Sequence, residues 1–371
     1  MASLDDFKYF DGKNGAWAEQ VVQANGAYYM YCPIHGHGIG VLMSESPYGP
    51  FHDPLGEPLV WQKEHWDDID PTILIDDDGQ AYMYWGNPNV YSVKLGKDMI
   101  SLDGPIVKHP KIEDYQEGPW IWKHDGHYYL AFASTCCPEG IGYAMSDGPE
   151  GPWEYKGHIM DHTVRTRGNH PGIIEYKGKS YVFGLNYDIM HLKTFAHAEQ
   201  RSVSVAPMHY NEDGTIQEVP YFIDNVVEQV EPFNPYRKVE AETMAWGYGL
   251  KTSRADEDYI VDGKPVPNLY VHDIDDGEYI LVRGVDFGLK GAKKITVSVG
   301  SDALGCIEVH LDSPDGPAEA VIPVTATGGK TSYALYTKRF KRRIRGTHDL
   351  YLVFTGAGKD LFTIDWWKMK Q

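Results

Sequence analysis

Polar and apolar residues alternate along most of this chain, and the alternation restarts after a tight turn in four places. NGAYYMY begins at Asn25, DGQAYMY at Asp78, DGHYYLAF at Asp125 and KGKSYVF at Lys177. Each copy reads as a turn followed by a strand whose aromatic residues fall at period two. The turn glycines, Gly26, Gly79, Gly126 and Gly178, are spaced at 53, 47 and 52 residues. Each is preceded by a β-rich run: WAEQVVQ, PTILIDD, GPWIWKH and PGIIEYK. A turn-linked strand pair recurring at about 50 residues is the pattern of a β-propeller blade. A second echo agrees with this: GIGVLMS precedes SPYGPF, and GIGYAMS precedes GPEGPW. Residues 1–235 therefore predict about four blades. The pattern breaks at EPFNPYRKVEAE, and residues 236–371 carry alternating runs (KKITVSVG, CIEVHLD, HDLYLVFTG) between Gly and Asp turns. These predict a β-sandwich of jelly-roll type. The fold class expected is all-β throughout.

Composition narrows the partners. A formal charge of −19 over 371 residues argues against nucleic acid and anionic membrane and leaves room for a neutral ligand. Aromatics make up 13% of the chain, with 26 Tyr and 10 Trp, and flat rings suit sugar faces as well as cores. No apolar run is long enough to predict a membrane-spanning helix. The opening MASLDDFKYF lacks the basic and apolar regions of a leader, which is read as cytoplasmic placement. Cys32, Cys136, Cys137 and Cys306 show no metal-type spacing and are expected as reduced thiols.

The candidate chemistry comes from the repeat. Asp70 precedes Gly79 by nine residues, and Glu117 precedes Gly126 by nine. The same offset falls on Asn169, beside His170, and on Trp17, near Glu19. Equal offsets on radially repeated units place Asp70, Glu117, Asn169 and His170 around one central hollow. Two carboxylates there repel, so one keeps its proton to higher pH, and Gly118, Pro119 and Trp120 give Glu117 an apolar wall. A protonated Glu can protonate a departing glycosidic oxygen. Arg201 is a candidate for holding a carboxylate or hydroxyls, and Trp85 for stacking on a sugar ring.

At these residues the chain resembles family 43 glycoside hydrolases of the arabinofuranosidase and xylosidase kind. The resemblance rests on WAEQVV, IGVLMSESPYGPF, DDIDPTILIDDDGQAYMYWGN, EGPWIWKHDGHYYL, GNHPGIIEYKGKSYVF and RSVSV with YNEDGTI, in family order. It implies a five-bladed propeller and hydrolysis with inversion. It makes Glu117 the general acid and Asp70 the acid that orients and tunes it. It makes Arg201 an active-site arginine and His170 the axial histidine that helps some members hold a hydrated calcium. The family's general base lies in a first-blade DP motif. Here one blade precedes Asp70 and matches the family's second, so the first blade is expected to be missing and no residue matches the base. Asp5, Asp6, Asp11 and Glu19 are the carboxylates left to substitute. An open propeller would also expose strand edges that favour a homo-oligomer.

Residues 238–371 resemble a family 6 carbohydrate-binding module, through KVEAETMAW, GEYILVRGVDFG and LFTIDWWKM. That resemblance implies a structural Ca²⁺ held by Glu240, Glu242 and Asp365. The loop GAGKDLFTID offers Asp360 and Thr363 without the family's Asn, so bracing is expected of this domain more than sugar binding. The function expected is removal of arabinofuranosyl or xylosyl units from arabinoxylan or its oligosaccharides. The rival expectations are a carbohydrate-binding protein without turnover and a propeller completed by self-association.

Overall fold

The structure is a computed structural model that describes residues 2–13, 15–63, 67–188, 202–225, 227–261 and 263–371. The chain divides into two compact units, Met1–Val227 and Glu228–Gln371. The described residues are strands and turns, with short 3-10 turns at Leu4–Asp6 and Phe222–Asp224.

The first unit holds four separate antiparallel sheets. The first is β1 (Gln20–Ala24), β2 (Ala27–Pro33) and β3 (Ile39–Ser44). The second is β4 (Thr72–Ile75), β5 (Ala81–Trp85), β6 (Tyr91–Leu95) and β7 (Val107–Lys108). The third is β8 (Tyr115–His124), β9 (His127–Ser134), β10 (Glu139–Ser146) and β11 (Glu154–Thr163). The fourth is β12 (Gly172–Tyr176), β13 (Lys179–Asn186) and β14 (Ser202–Met208). Strands are hydrogen-bonded in chain order within each sheet.

The repeated turns are what the sequence requires. Ala24 pairs with Ala27, His124 with His127 and Tyr176 with Lys179, leaving two-residue turns. Both turn residues have positive φ in each case: Asn25 and Gly26, Asp125 and Gly126, Lys177 and Gly178. This geometry matches the twist of the strands it joins and needs Gly at the second place.

The first strands of successive sheets lie against one another: β1 against β4, β4 against β8, and β8 against β12. Between sheets the aromatics and aliphatics fill the space. Tyr31, Val41, Met83, Trp85 and Val93 form one such layer, and Leu74, Tyr84, Leu130 and Phe132 the next. The acids crowded at residues 67–78 largely serve this packing. Asp67 accepts from Asn89 and Tyr91, and Asp68 accepts from Gln62 and the Trp85 indole. Asp76 accepts from Lys123 at 2.7 Å and Tyr128 at 2.6 Å, tying the second sheet's hairpin to the third.

The second unit is a sandwich of two large antiparallel sheets, with a separate hairpin of Tyr259–Val261 and Lys264–Val266. In one, the order is Lys251–Arg254, Leu269–His272, Thr363–Lys370, Ala292–Ser301, Gly329–Ile344, with Val239–Glu240 also on Thr363–Lys370. In the other it is Trp246–Tyr248, Tyr279–Asp286, Thr347–Gly356, Gly305–Leu311, Ala320–Val324. Ile295, Val297 and Val299 face Ile307, Val309, Leu350, Leu352 and Phe354 in one core, each set at period two.

One expectation is corrected here. Cys136 and Cys137 are joined as a disulfide in the β9–β10 turn, whereas Cys32 and Cys306 are free thiols.

Candidate active site

A cavity of about 660 Å³ opens where the first strands of the four sheets begin. It is lined by residues 16–20, 69–71, 117–120, Gly168, His170, Pro171 and Leu185. The nine-residue offset thus brings Trp17, Asp70 and Glu117 to one hollow. In the fourth sheet the lining residue is His170, one place beyond the offset.

Asp70 forms the floor. It is 4% exposed and its backbone sits at φ 58°, which Asp tolerates better than most residues. Its Oδ2 accepts the Gly118 N–H at 3.2 Å and faces His170 Nε2 at 3.8 Å. Burial raises the Asp70 pKa to about 6; the His170 charge and the Gly118 N–H work against that rise, and the Glu117 charge adds to it.

Glu117 stands at the wall with its side chain 24% exposed. Asn87 donates its amide to Oε2 at 2.5 Å, and His170 Nε2 lies 3.8 Å from Oε1. Ligand-type atoms of Asp70, Glu117 and His170 all fall within 4.8 Å of one another. Burial opposes charge on His170, but its contact with Glu117 and the charges of Asp70, Glu117 and Glu139 raise its pKa overall.

Gly118 makes this approach possible. A Cβ there would come within 2.6 Å of the His170 ring, and its φ is 61°. The loop carrying His170 is held from below by Glu139, which is buried. Its two carboxylate oxygens accept the backbone N–H groups of Gly168 and Asn169, the first at 2.9 Å.

Two sequence-derived assignments are corrected. Trp85 is 0% exposed, stacks on Tyr91 and donates its indole N–H to Asp68 at 2.9 Å. It sits on a second strand, between two sheets, and no ligand can reach it. Among the described residues, the aromatics that line the cavity are Trp17, 43% exposed and stacked on His35, and Trp120. Asn169 is likewise buried, and its Oδ1 accepts the Leu185 N–H at 2.8 Å, so it braces the loop and does not face the cavity. Arg201 lies outside the described residues.

Asn87 and Glu139 were not singled out from the sequence. Their partners are 30 residues away, and no local pattern marks them.

In the second unit, Glu240, Glu242 and Asp365 are neighbours. Glu240 pairs with Trp366 across the strands, and the Ala241 N–H is donated to the Asp365 carbonyl at 2.9 Å. Burial, then the charges of Glu240 and Asp365, raise the Glu242 pKa. Oε2 of Glu240, Oε2 of Glu242 and Oδ1 of Asn268 are buried acceptors with no donor.

Residues 2–216 match the pattern of glycosyl hydrolases family 43, and residues 240–371 match that of carbohydrate binding module family 6. The chain belongs to glycosyl hydrolase family 43. It is similar to the arabinoxylan arabinofuranohydrolase of Paenibacillus polymyxa, at 33% identity over 96% of this chain and 60% of that protein. It is similar also to the arabinoxylan arabinofuranohydrolase of Bacillus subtilis (strain 168), at 31% identity over 96% of this chain and 75% of that protein. The crystal structure of a family 43 arabinoxylan arabinofuranohydrolase from Bacillus subtilis in complex with cellotetraose superposes with a TM-score of 0.82 and 31% identity. That match covers 96% of this chain and 80% of the other. The chain thus spans about three fifths of the length of its Paenibacillus relative.

Proposed function

We propose that this chain is a glycoside hydrolase that releases arabinofuranosyl or xylosyl units from arabinoxylan or its oligosaccharides with inversion. The four sheets are read as propeller blades around the cavity. Glu117 is the general acid: its carboxyl faces the cavity, and Asn87 fixes its orientation. Asp70 positions Glu117 through the Gly118 backbone and through His170, and its charge favours the protonated Glu117. The names of the two Bacillales relatives support arabinoxylan as the substrate class.

The observation that carries this reading is the closeness of the two acids. Carboxyl groups that work on opposite sides of a sugar are about 5–5.5 Å apart in retaining enzymes and about 6.5–9.5 Å apart in inverting ones. Asp70 and Glu117 lie within 4.8 Å, which leaves no room for an attacking water between them. The family resemblance makes Asp70 the tuning group, and on that reading the carboxylate that activates water is a third one. Among the described residues, Glu19 is the other carboxylate lining the cavity.

In the second unit, the orphaned oxygens of Glu240, Glu242 and Asn268 beside Asp365 suit a hard cation, and we assign Ca²⁺ there as a structural ion. At the cavity, Asp70, Glu117 and His170 are grouped closely enough to hold a second ion, and no step is routed through it.

The test is hydrolysis of wheat arabinoxylan and of nitrophenyl arabinofuranoside and xyloside by the wild type and Glu117→Gln, with NMR of the first anomer released. Turnover in the wild type, lost in the variant, with the inverted anomer appearing first, is the expected result. Equal turnover in both sinks the assignment. Sugar binding with no turnover in either marks a carbohydrate-binding protein instead.

A further inference from the structure

The third sheet carries a second cluster of metal-type side chains, none of which lines the cavity. Asp114 lies just before β8, and His158 and His162 lie on β11, at the opposite edge of the same sheet. His158 Nε2 is 2.9 Å from Asp114 Oδ2, and His162 Nε2 is 3.2 Å from the same oxygen. The imidazole centroids are 4.4 Å apart with their planes at 74°.

This convergence is not what a strand gives by default. Residues four apart on a regular strand are separated by about 13 Å. β11 departs from that because its register against β10 slips: Gly142 pairs with His158, Ile141 with Met160 and Glu139 with Thr163. The extra residues coil the strand, and bulges of this kind re-aim side chains.

Each member is also held in place. Asp114 has φ 59°, and the Thr135 N–H is donated both to its carbonyl at 2.9 Å and to its Oδ1 at 3.2 Å. Oδ2 is left facing the histidines. His162 Nδ1 faces Asp161 Oδ1 at 3.4 Å. With its hydrogen on Nδ1, His162 presents a lone pair from Nε2 to a carboxylate oxygen, and two facing acceptors are relieved by a cation between them. A carboxylate behind the imidazole is the usual outer partner of a metal-bound histidine. The Tyr155 hydroxyl, 3.1 Å from His158 Nε2, closes one side.

We propose that Asp114 Oδ2, His158 Nε2 and His162 Nε2 bind one divalent transition-metal ion, zinc by preference, which pins β11 to the segment leading into Glu117. Two imidazoles and one carboxylate suit zinc and its neighbours in the first transition row, whereas calcium and magnesium select oxygen. Ligand atoms at a tetrahedral zinc are about 3.3 Å apart for bonds near 2.0–2.1 Å. The separations of 2.9 and 3.2 Å are close to that spacing. The site is independent of the hydrolytic reading, and its readout is metal binding, not activity.

The experiment uses the full chain without a histidine tag, stripped with chelator and titrated with Co²⁺ and Zn²⁺. The wild type is expected to bind one equivalent of Co²⁺ with the strong visible absorption of a tetrahedral centre, displaced by Zn²⁺. His170→Gln, which alters the cavity cluster, should keep that signal. His158→Gln and His162→Gln should lose it. Asp114→Asn preserves the left-handed backbone and the Thr135 contact, and should bind at least about 100-fold more weakly even if a histidine variant fails to fold. A wild type that binds no Co²⁺ or Zn²⁺ overturns the proposal and leaves two histidines paired with Asp114. The same overturning follows if the signal survives in His162→Gln and Asp114→Asn, or disappears in His170→Gln alone.

Discussion

The backbone N–H of Gly118 is donated to Asp70 Oδ2 at 3.2 Å. The residue that follows Glu117, the proposed general acid, is thus anchored to the buried Asp70, and this contact is one of those that bear on both acids.

Removing the acid should slow reactions that need a proton and spare those that do not. Glu117→Ala is predicted to lower kcat on arabinoxylan by roughly 10²–10⁴-fold, the usual worth of a general acid. On an arabinofuranoside with a strongly acidic leaving group the loss should shrink to a small factor. An equal loss on both substrates would reassign the acid.

Asp70 should cost stability at neutral pH. Its pKa is raised from 3.8 to about 6, so between those values the native state binds more protons than the unfolded one. Stability then falls as pH rises through that window, by about 3 kcal/mol at most, and stays lower above it. Asp70→Asn is predicted to melt higher than the wild type at pH 7.5, with little difference at pH 4, while losing activity. The same Tm difference at both pH values would contradict this account.

Gly118→Ala should displace His170. The added methyl would meet the ring at 2.6 Å, on a backbone with φ 61°. We predict at least about a tenfold fall in kcat with a loss of about 1–3 kcal/mol in stability. Unchanged kinetics would show that the His170 position is not set by this glycine.

Glu139 is predicted to act at a distance through the His170 loop. Glu139→Gln turns one acceptor of a backbone N–H into a donor, at a cost of about 1–3 kcal/mol. Tm should drop, and kcat should fall more than KM changes. A variant with wild-type kcat and a lower Tm would leave Glu139 a purely structural role.

The second unit should be stabilised by calcium. Chelation is predicted to lower its melting transition and added Ca²⁺ to restore it, by about 2.7 kcal/mol when Ca²⁺ is a hundredfold above its Kd. Glu242→Gln should abolish the restoration. Equal transitions with chelator and with Ca²⁺ would remove the ion from this corner of the sandwich.

Period-two alternation and paired turn residues are local, so the sequence alone determined the hairpins at Asn25–Gly26, Asp125–Gly126 and Lys177–Gly178. Because strands keep step with their turns, equal spacing from those turns also determined that Asp70 and Glu117 would meet. The tertiary structure decided what depends on sheet packing against sheet. It buried Trp85 and turned Asn169 inward, leaving Trp17, Trp120 and His170 at the cavity. It chose Asn87 and Glu139 as partners across 30 residues of chain. It also coiled β11 so that His158 and His162 meet Asp114. Such contacts arise when distant segments compete for the same buried space and the same hydrogen-bonding groups, and no short stretch of sequence encodes the outcome of that competition.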